Sequence, residues 1–562
     1  MNQKVLKYIL PLLLFVAAFL FWGVIHPELL FYHEFYQMFI FDKDYFYEHI
    51  ALPGGLCDYL AEFITQFYFY PLLGAFFIAT LYVVVHQITI KIFNIFEVSK
   101  SFYPFSLLPT LFLWGCMCDE NFLICFVVAA LVNMVVFWCV ELVSKPNTKL
   151  IFAIFCGIFS YWFIGPCAII IALLYVAKNY KKQGLKSVVP VMTILLEALI
   201  VSRFVSYPIS CFYLGIDYTR FPFKSLAYLW FYILCPLLPV LLNLFKKGFS
   251  TRQIFISAFA IIVLGLFCIP KCLDSVAWQT IRIYSLVYKG SWDDVIDFYN
   301  KHLTPSTYAV QGLNLALAHK GVLTDKMFCY YQPGSMGLIS TFKTDMFTSM
   351  LNCEIFFRLG AYNLSQRYAF ESQENISNFR NSSKLFVRLG QTAIVNKQYK
   401  VARKYFIKLS KTLFYKDIAM NYYNMLGDEK RVEEYPEFAF ADKVKLEKDG
   451  VQEDLGTDEI FENLIKKYPK NYLAIQYYQA SALLEMNYKK LCNSLPFLSY
   501  AGKKTLPKHV QEALVYFYYN EHKSLKNIPQ GISHEVISAF EVKRLEDTFW
   551  RYAIFVKNHE NK

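Results

Sequence analysis

From Met1 to about Pro270, long apolar stretches alternate with short charged loops, and beyond Lys271 the pattern changes. There charges are frequent, and no apolar run approaches the roughly 20 residues that a helix needs to cross a bilayer. The first half therefore predicts transmembrane helices at 5–25, 71–93, 102–118, 122–143, 150–164, 166–178, 187–204, 225–244 and 252–270. The first run follows Lys4 and Lys7, exceeds a signal-peptide core in length and ends without small residues, so it reads as a retained span. The second half predicts successive amphipathic helix pairs. The expected fold is all-α: a nine-span membrane domain over 1–270, with a long outward loop at 26–70, then a helical-repeat domain over 271–562.

Residues 150–178 are nearly continuous apolar sequence interrupted by Gly165-Pro166, and length alone admits one tilted helix or two short ones. Charge separates the two. With a hairpin at Gly165-Pro166, one side collects Lys4, Lys7, Lys91, Lys100, Lys145, Lys149, Lys178, Lys181, Lys182, Lys186, Lys246, Lys247 and Arg252. The other collects Asp42, Asp44, Glu48, Asp58, Asp119 and Glu120. Basic loops stay in the cytoplasm. The expected location is the cytoplasmic membrane, with the N-terminus inside and the C-terminal half outside.

In that outer half the clearest helix pair is RLGQTAIVNKQYKVARKYFIKL, where Gly390 and Ala402 allow close approach and Tyr399 and Phe406 fill the gap. It resembles the tetratricopeptide repeat, departing from it at Lys397 and Phe414, where a turn glycine and a closing proline would stand. Further turns at Gly290-Ser291-Trp292, Gly321 and Gly360-Ala361-Tyr362 give, with Lys397, spacings of 31 to 39 residues, near the roughly 34-residue repeat. A weaker pair follows around ALLEMNYKKLCNSL and QEALVYFYYN. Such an array either grips a protein or glycan partner or simply props up the membrane half. The charge-rich segment Lys430–Asp458 reads as a solvated loop or an extended helix pair.

Composition changes this picture little. At 562 residues two or more units are expected. The net charge of +12 is spread along the chain, which argues against nucleic acid as a partner. Most of the 14 cysteines lie in apolar runs. Cys272, Cys329, Cys353 and Cys492 lack C-x-x-C spacing, which argues against zinc, while a Cys329–Cys353 bridge stays open. Motifs for phosphate-loop, zinc-protease or serine-hydrolase chemistry do not occur.

The first outward loop, HPELLFYHEFYQMFIFDKDYFYEHIALPGGLCDYLAEFITQFYFYP, is dense in Tyr and Phe and suits short helices lying along the membrane surface. It carries Asp42-Lys43-Asp44. A D-x-D motif in this loop, with interfacial helices and a soluble outer domain, resembles the GT-C class of glycosyltransferases, which use polyprenyl-phosphate sugars. The layout as a whole also resembles an uncharacterised family of Bacteroidetes envelope proteins. The GT-C resemblance implies a carboxylate base, Asp42 or Asp44 with Glu34 nearby, and a second acidic loop at Asp119-Glu120. It also implies cations, Arg203 and Arg220, for the lipid phosphate, and is compatible with a divalent metal. The plainer readings are a helix cap for Asp44, solvent exposure for Asp42, an ordinary turn at Asp119-Glu120 and a snorkelling Arg203.

Glu197 falls inside a predicted span, where an ionisable group is a functional candidate, with His86 as one partner. Asp274-Ser275-Val276 resembles a short O-glycosylation acceptor and equally suits a helix start. Two roles follow: an envelope glycosyltransferase working on a lipid-linked donor, or a non-catalytic membrane-anchored scaffold. A transporter built around Glu197 ranks third, because no pair of broken helices supports it.

Overall fold

The computed structural model describes residues 3–220, 226–245, 247–340, 345–377, 380–446, 457–526, 528 and 531–560. Lys246 and the stretch 447–456 of the charge-rich segment lie outside them. The regular secondary structure of the described residues is all helical, apart from an isolated antiparallel bridge between Phe122 and Thr219. The chain divides into two compact units. The first is 1–278 together with 376–383 and 410–416, and the second comprises the remainder from Gln279. The sequence pattern placed a boundary at 270; the two short insertions into the first unit have no counterpart in it.

In the first unit the helices are α1 (Gln3–Leu20), α2 (Pro27–Phe35), α3 (Lys43–Ile50), α4 (Gly55–Thr65), α5 (Pro71–Ile95), α6 (Leu108–Met117) and α7 (Ile124–Glu141). They continue as α8 (Pro146–Ile164), α9 (Ile169–Gln183), α10 (Val189–Val201), α11 (Ile209–Leu214), α12 (Leu229–Leu244) and α13 (Thr251–Cys268). Among the described residues, six helical segments are long and apolar enough to cross a membrane: Lys7–Ile25, Pro71–Ile95, Ile124–Glu141, Pro146–Ile164, Pro166–Val201 and Thr251–Cys272. The fifth doubles back at Gly184, because Ala168 and Ala172 near its start share one core cluster with Ile194, Ala198 and Val201 at its end. The apolar stretch 229–244 is shorter and contains Pro236 and Pro239.

Polar contacts gather at two ends of this bundle. At one, Glu141 accepts from Lys149 (2.8 Å) and Asn179 (2.9 Å), and Lys178 meets Glu97 (3.0 Å). The Tyr103 hydroxyl bonds the Lys7 carbonyl there, and Ser101 Oγ accepts from the Phe249 amide. At the other end, Gly54 N donates to Trp162 O (2.8 Å), and Tyr218 holds the break between α8 and α9. Its hydroxyl donates to Ile164 O (2.7 Å) and accepts from Cys167 N (3.1 Å), so the backbone groups freed at Gly165-Pro166 are satisfied. Gly54 (φ 85°) and Gly165 (φ 90°) both take left-handed backbone, and a Cβ on Gly165 would stand 2.8 Å from the Tyr218 hydroxyl, so both positions favour glycine. Inside the bundle, Asn133 takes the Ser160 hydroxyl (2.6 Å), and His86 bonds Tyr103 (3.3 Å) and Ser106 (3.2 Å).

The second unit begins within α14 (Ser275–Lys289) and continues through α15 (Trp292–His302), α16 (Thr307–His319), α17 (Leu323–Lys326), α18 (Met346–Leu359), α19 (Tyr362–Glu374), α20 (Ser383–Val395) and α21 (Tyr399–Ser410). Gly290, Gly321, Gly360 and Lys397 each stand between consecutive helices with positive φ (71°, 74°, 100° and 56°), at the four turns expected from sequence. Lys397 adopts this conformation without being glycine, which explains the missing turn glycine there. In the later region, ALLEMNYKKLCNSL spans the turn at Met486 (φ 53°) between helices Tyr472–Leu484 and Tyr488–Tyr500, and QEALVYFYYN falls in the next helix, Lys508–His522. Cys329 and Cys353 are both free thiols. The last turn of α16 and the first of α15 are joined by a stacked His319–Trp292 pair, 4.0 Å between centroids.

Close approach of α20 and α21 is set by Gly390, where an added Cβ would collide with the ring of the fully buried Phe406. Overpacking costs about 1–3 kcal/mol, against roughly 1 kcal/mol gained from the better helix former. Gly390→Ala should therefore lower unfolding stability by about 1 kcal/mol net, and a second change, Phe406→Leu, should restore most of it in thermal unfolding of the full chain.

Candidate functional site

The short helices α2, α3 and α4 fill the loop between the first two long apolar helices, and their sequences explain where they start. Asp42 caps α3, its Oδ1 accepting from Asp44 N at 2.9 Å. Pro27 opens α2, and Gly54 (φ 85°) precedes α4. On α4, Asp58 and Glu62 are one turn apart and thus on one face. Both are buried, and both receive Arg380 from the segment 376–383 of the first unit. The guanidinium contacts Asp58, meets Glu62 Oε1 at 3.3 Å and meets Asp217 at 2.7 Å. His49 of α3 adds a fifth charge: its Nε2 lies 3.0 Å from Glu62 and 3.4 Å from Asp58, while Nδ1 bonds the Tyr45 carbonyl at 2.8 Å. The Tyr45 hydroxyl lies between Glu62 and the Met38 carbonyl.

Because the Tyr45 carbonyl can only accept, Nδ1 must carry a proton, and Nε2 then faces two carboxylates. Burial alone would lower the His49 pKa, but hydrogen bonds and charge from Asp58 and Glu62 outweigh it and push it up to about 11. Burial and the adjoining Glu62 also push Tyr45 well above the usual phenol range, so it stays a neutral donor. The ligand atoms of His49, Asp58 and Glu62 lie within 4.8 Å of one another, a spacing open to a metal ion. Arg380, however, already occupies the same carboxylates, and a divalent ion at His49 would stand beside its guanidinium. An imidazolium and a guanidinium set among three carboxylates fit this donor set better.

A second polar group lies across the same loop. The turn Asp119–Asn121 and the segment Tyr218–Arg220 are paired by their backbones: Arg220 N donates to Asn121 O (2.8 Å), and Leu123 N to Tyr218 O (3.0 Å). This pairing sets Asp119 and Glu120 beside Arg220, against the face of α2 that carries Tyr32, His33 and Tyr36. Arg220 is buried, lies 3.4 Å above the Tyr36 ring and donates to the Tyr36 hydroxyl at 2.7 Å. Burial, with Arg220 adding to it and Asp119 opposing, drops His33 to about 4, so its imidazole is neutral. His33 Nε2 has no hydrogen-bond partner among the described residues. Burial raises Glu120 above the usual carboxylate range, Asp119 adding to the effect.

The chain matches a known family over almost its whole length. It belongs to the DUF6057 family, a family of unknown function, whose sequence pattern matches residues 2–542. No curated protein and no solved structure matches it.

In this DUF6057 chain, the acidic and basic positions singled out from sequence part company. Asp119, Glu120 and Arg220 come together. Asp42 instead pairs with Lys411, which holds its carboxyl below the usual range, and Asp44 is exposed. Glu34 is buried and accepts from the Tyr415 hydroxyl at 2.9 Å. Arg203 is exposed at the end of α10. Glu197 lies half-buried, one carboxylate oxygen without a partner, while His86 bonds Tyr103 and Ser106 instead of reaching it. Sequence reasoning missed His33, Tyr45, His49, Glu62, Asp217 and Arg380. Spacing alone could have flagged Asp58 and Glu62 as an i, i+4 acidic pair within an otherwise apolar helix; nothing local marked Arg380.

Removing one partner from a buried ion cluster costs about 3–5 kcal/mol. Arg380→Met should lower stability by that order, read as a drop in the thermal midpoint in detergent, with partial recovery when Asp217→Asn is added. The folded pKa of His49 exceeds its unfolded value of 6.5, so its stabilisation is complete below about pH 6.5. It then declines as pH rises and is gone above about 11. The difference in thermal midpoint between wild type and His49→Gln should accordingly shrink steadily from pH 6.5 to 10.

Proposed function

We propose that this chain is a nine-pass cytoplasmic-membrane protein whose outer face carries a GT-C-like centre, transferring a sugar from a polyprenyl-phosphate carrier to an acceptor. The topology draws support from the two polar ends of the bundle. Lys7, Lys149 and Lys178 and the residues around Phe249 gather at one end; the 26–70 loop, the Asp119 turn and the Tyr218 segment gather at the other. The basic end is then cytoplasmic. Arg380, Lys411 and Tyr415 all bond residues of the 26–70 loop, so their segments share its side of the membrane. Three short helices between two spanning ones supply the interfacial layout that GT-C enzymes use. The paired helices of the C-terminal half, with their regular turns, support a tetratricopeptide-like array that presents an acceptor or a partner.

The observation that carries this reading is the backbone pairing that pins Asp119 and Glu120 beside Arg220 against α2. In the transfer, an acceptor hydroxyl attacks the anomeric carbon as the bond from that carbon to the phosphate oxygen breaks. Asp119 takes the hydroxyl proton. The departing lipid phosphate gains negative charge, which Arg220 stabilises from its seat on Tyr36. Asp119 suits the role of base better than Asp42: Asn121 holds Asp119 through Oδ1, whereas both oxygens of Asp42 are engaged, by the Asp44 amide and Lys411. The second reading, a non-catalytic scaffold, is favoured by one observation: Asp42, Glu34, Asp58 and Glu62 are all occupied in holding 376–383 and 410–416.

Loss of a general base or of a charge-stabilising donor typically slows an enzyme about 100-fold or more. Asp119→Asn and Arg220→Gln should each reduce transfer of labelled sugar from a polyprenyl-phosphate donor in membranes by about 100-fold, at normal protein levels. Membranes of both variants with an unaltered glycan profile would instead leave the scaffold. A reporter fused after α13 should be active only when it lies outside the cytoplasm.

A further inference from the structure

The second unit holds a cavity of about 410 Å³ that the centre proposed above does not use. It opens at the C-terminal end of α18. On that helix Glu354 precedes Arg358 by four residues, the order that favours an intrahelical ion pair. Glu354 is nevertheless taken by Arg388 of α20, which grips both its oxygens at 2.7 and 2.8 Å and lies 3.6 Å above the Phe357 ring. Arg358 is left without a carboxylate in ion-pair range among the described residues. Its Nε has no hydrogen-bond partner, and the Trp292 ring lies 5.5 Å away. A part-buried guanidinium with no ion pair of its own is unfavourable, and its planar fork matches a carboxylate.

The rest of the cavity narrows the ligand further. Phe357, Tyr362, Phe440 and Tyr472 supply aromatic walls. His319, stacked on Trp292, is pushed down to about 4 by burial and by Arg358, so its ring is neutral, and its Nε2 has no hydrogen-bond partner among the described residues. Glu437 also lines the cavity and accepts from the Tyr422 hydroxyl at 3.0 Å. Lys320, paired with Asp293 at 2.8 Å, and Lys470 line the cavity as well, so its walls favour an anion, and the flat fork of Arg358 matches a planar carboxylate. His319 Nε2 and Glu437 are suited to hydroxyl groups rather than to a bare aromatic acid.

We infer that this cavity binds an acidic sugar, its carboxylate on Arg358 and the C–H face of its ring on the aromatic walls. Hydroxyls at the ring edge meet His319 and Glu437. The site is independent of the Asp119–Arg220 centre and stands whether or not that centre is catalytic.

The test uses the full chain in detergent and ligand-observed NMR with methyl glucuronide and methyl glucoside, which differ only in the carboxylate. The glucuronide should saturate at a concentration at least about tenfold lower, the scale of one charge-assisted hydrogen bond. Arg358→Gln should erase that difference, Arg358→Lys should keep part of it, and N-acetylphenylalanine should not compete. The wild-type comparison alone suffices if a variant fails to fold. Equal saturation by the two sugars, no saturation by glucuronide up to roughly 20 mM, or its displacement by N-acetylphenylalanine would overturn the inference.

Discussion

Three carboxylates on two segments, Asp58 and Glu62 of α4 and Asp217 before Arg220, are buried at one end of an apolar bundle. Buried ions of one sign are tolerable only when a counter-charge reaches them with good geometry. Arg380 supplies one such charge from a segment more than 300 residues along the chain, and His49 supplies a second. Much of the first unit follows from meeting that requirement. The loop 26–70 must fold back as α3 and α4 so that His49 and Tyr45 face Glu62. The Asp217 segment must pair with the Asp119 turn, and 376–383 must join the first unit. Lys411 on Asp42, Tyr415 on Glu34 and Phe414 stacked on Phe69 (5.5 Å) repeat the same connection through 410–416.

The Asp217 segment links this cluster to the second polar group. Asp217 faces Arg380, while Arg220, three residues on, faces Tyr32, Tyr36 and the Asp119 turn. Tyr218 between them ties down the break at Gly165-Pro166. One short segment therefore fixes a helix turn, a charge cluster and a candidate transfer centre together. That coupling gives physical content to a centre placed at the end of the bundle: its residues are held by backbone pairing and buried ion pairs, which leave little freedom to the side chains that would meet a substrate.

In the second unit, helix pairs repeat with left-handed residues at their turns, and their interiors are not purely apolar. Glu354 and Arg388 form a buried bidentate pair, and Gln391, Tyr422 and Glu437 extend it. Taking Glu354 for that pair is what strips Arg358 of its neighbour, so the polar network that orders these helices also leaves a cation facing a cavity.

Periodicity and composition located most of the helices, although six segments of the described residues have the length and apolarity of a span where nine spans were expected. Apolar runs long enough to satisfy their own backbone in a bilayer must be helical, and turns at Gly290, Gly321 and Gly360 needed a residue tolerant of positive φ. The close contact at Gly390 was legible because only a missing side chain lets two helices touch. Charge patterning separated basic from acidic loops for the same local reason. Pairing across long sequence distances was not legible. Asp42, read as a D-x-D acid, turned out to cap α3 and meet Lys411, and Arg380 gave no local sign of its role, because ion pairing depends on which surfaces meet and not on spacing along the chain. The sequence therefore determined the elements and their apolar faces; only the tertiary structure decided which charges share a buried volume, since a buried charge takes whatever partner the packing brings within reach.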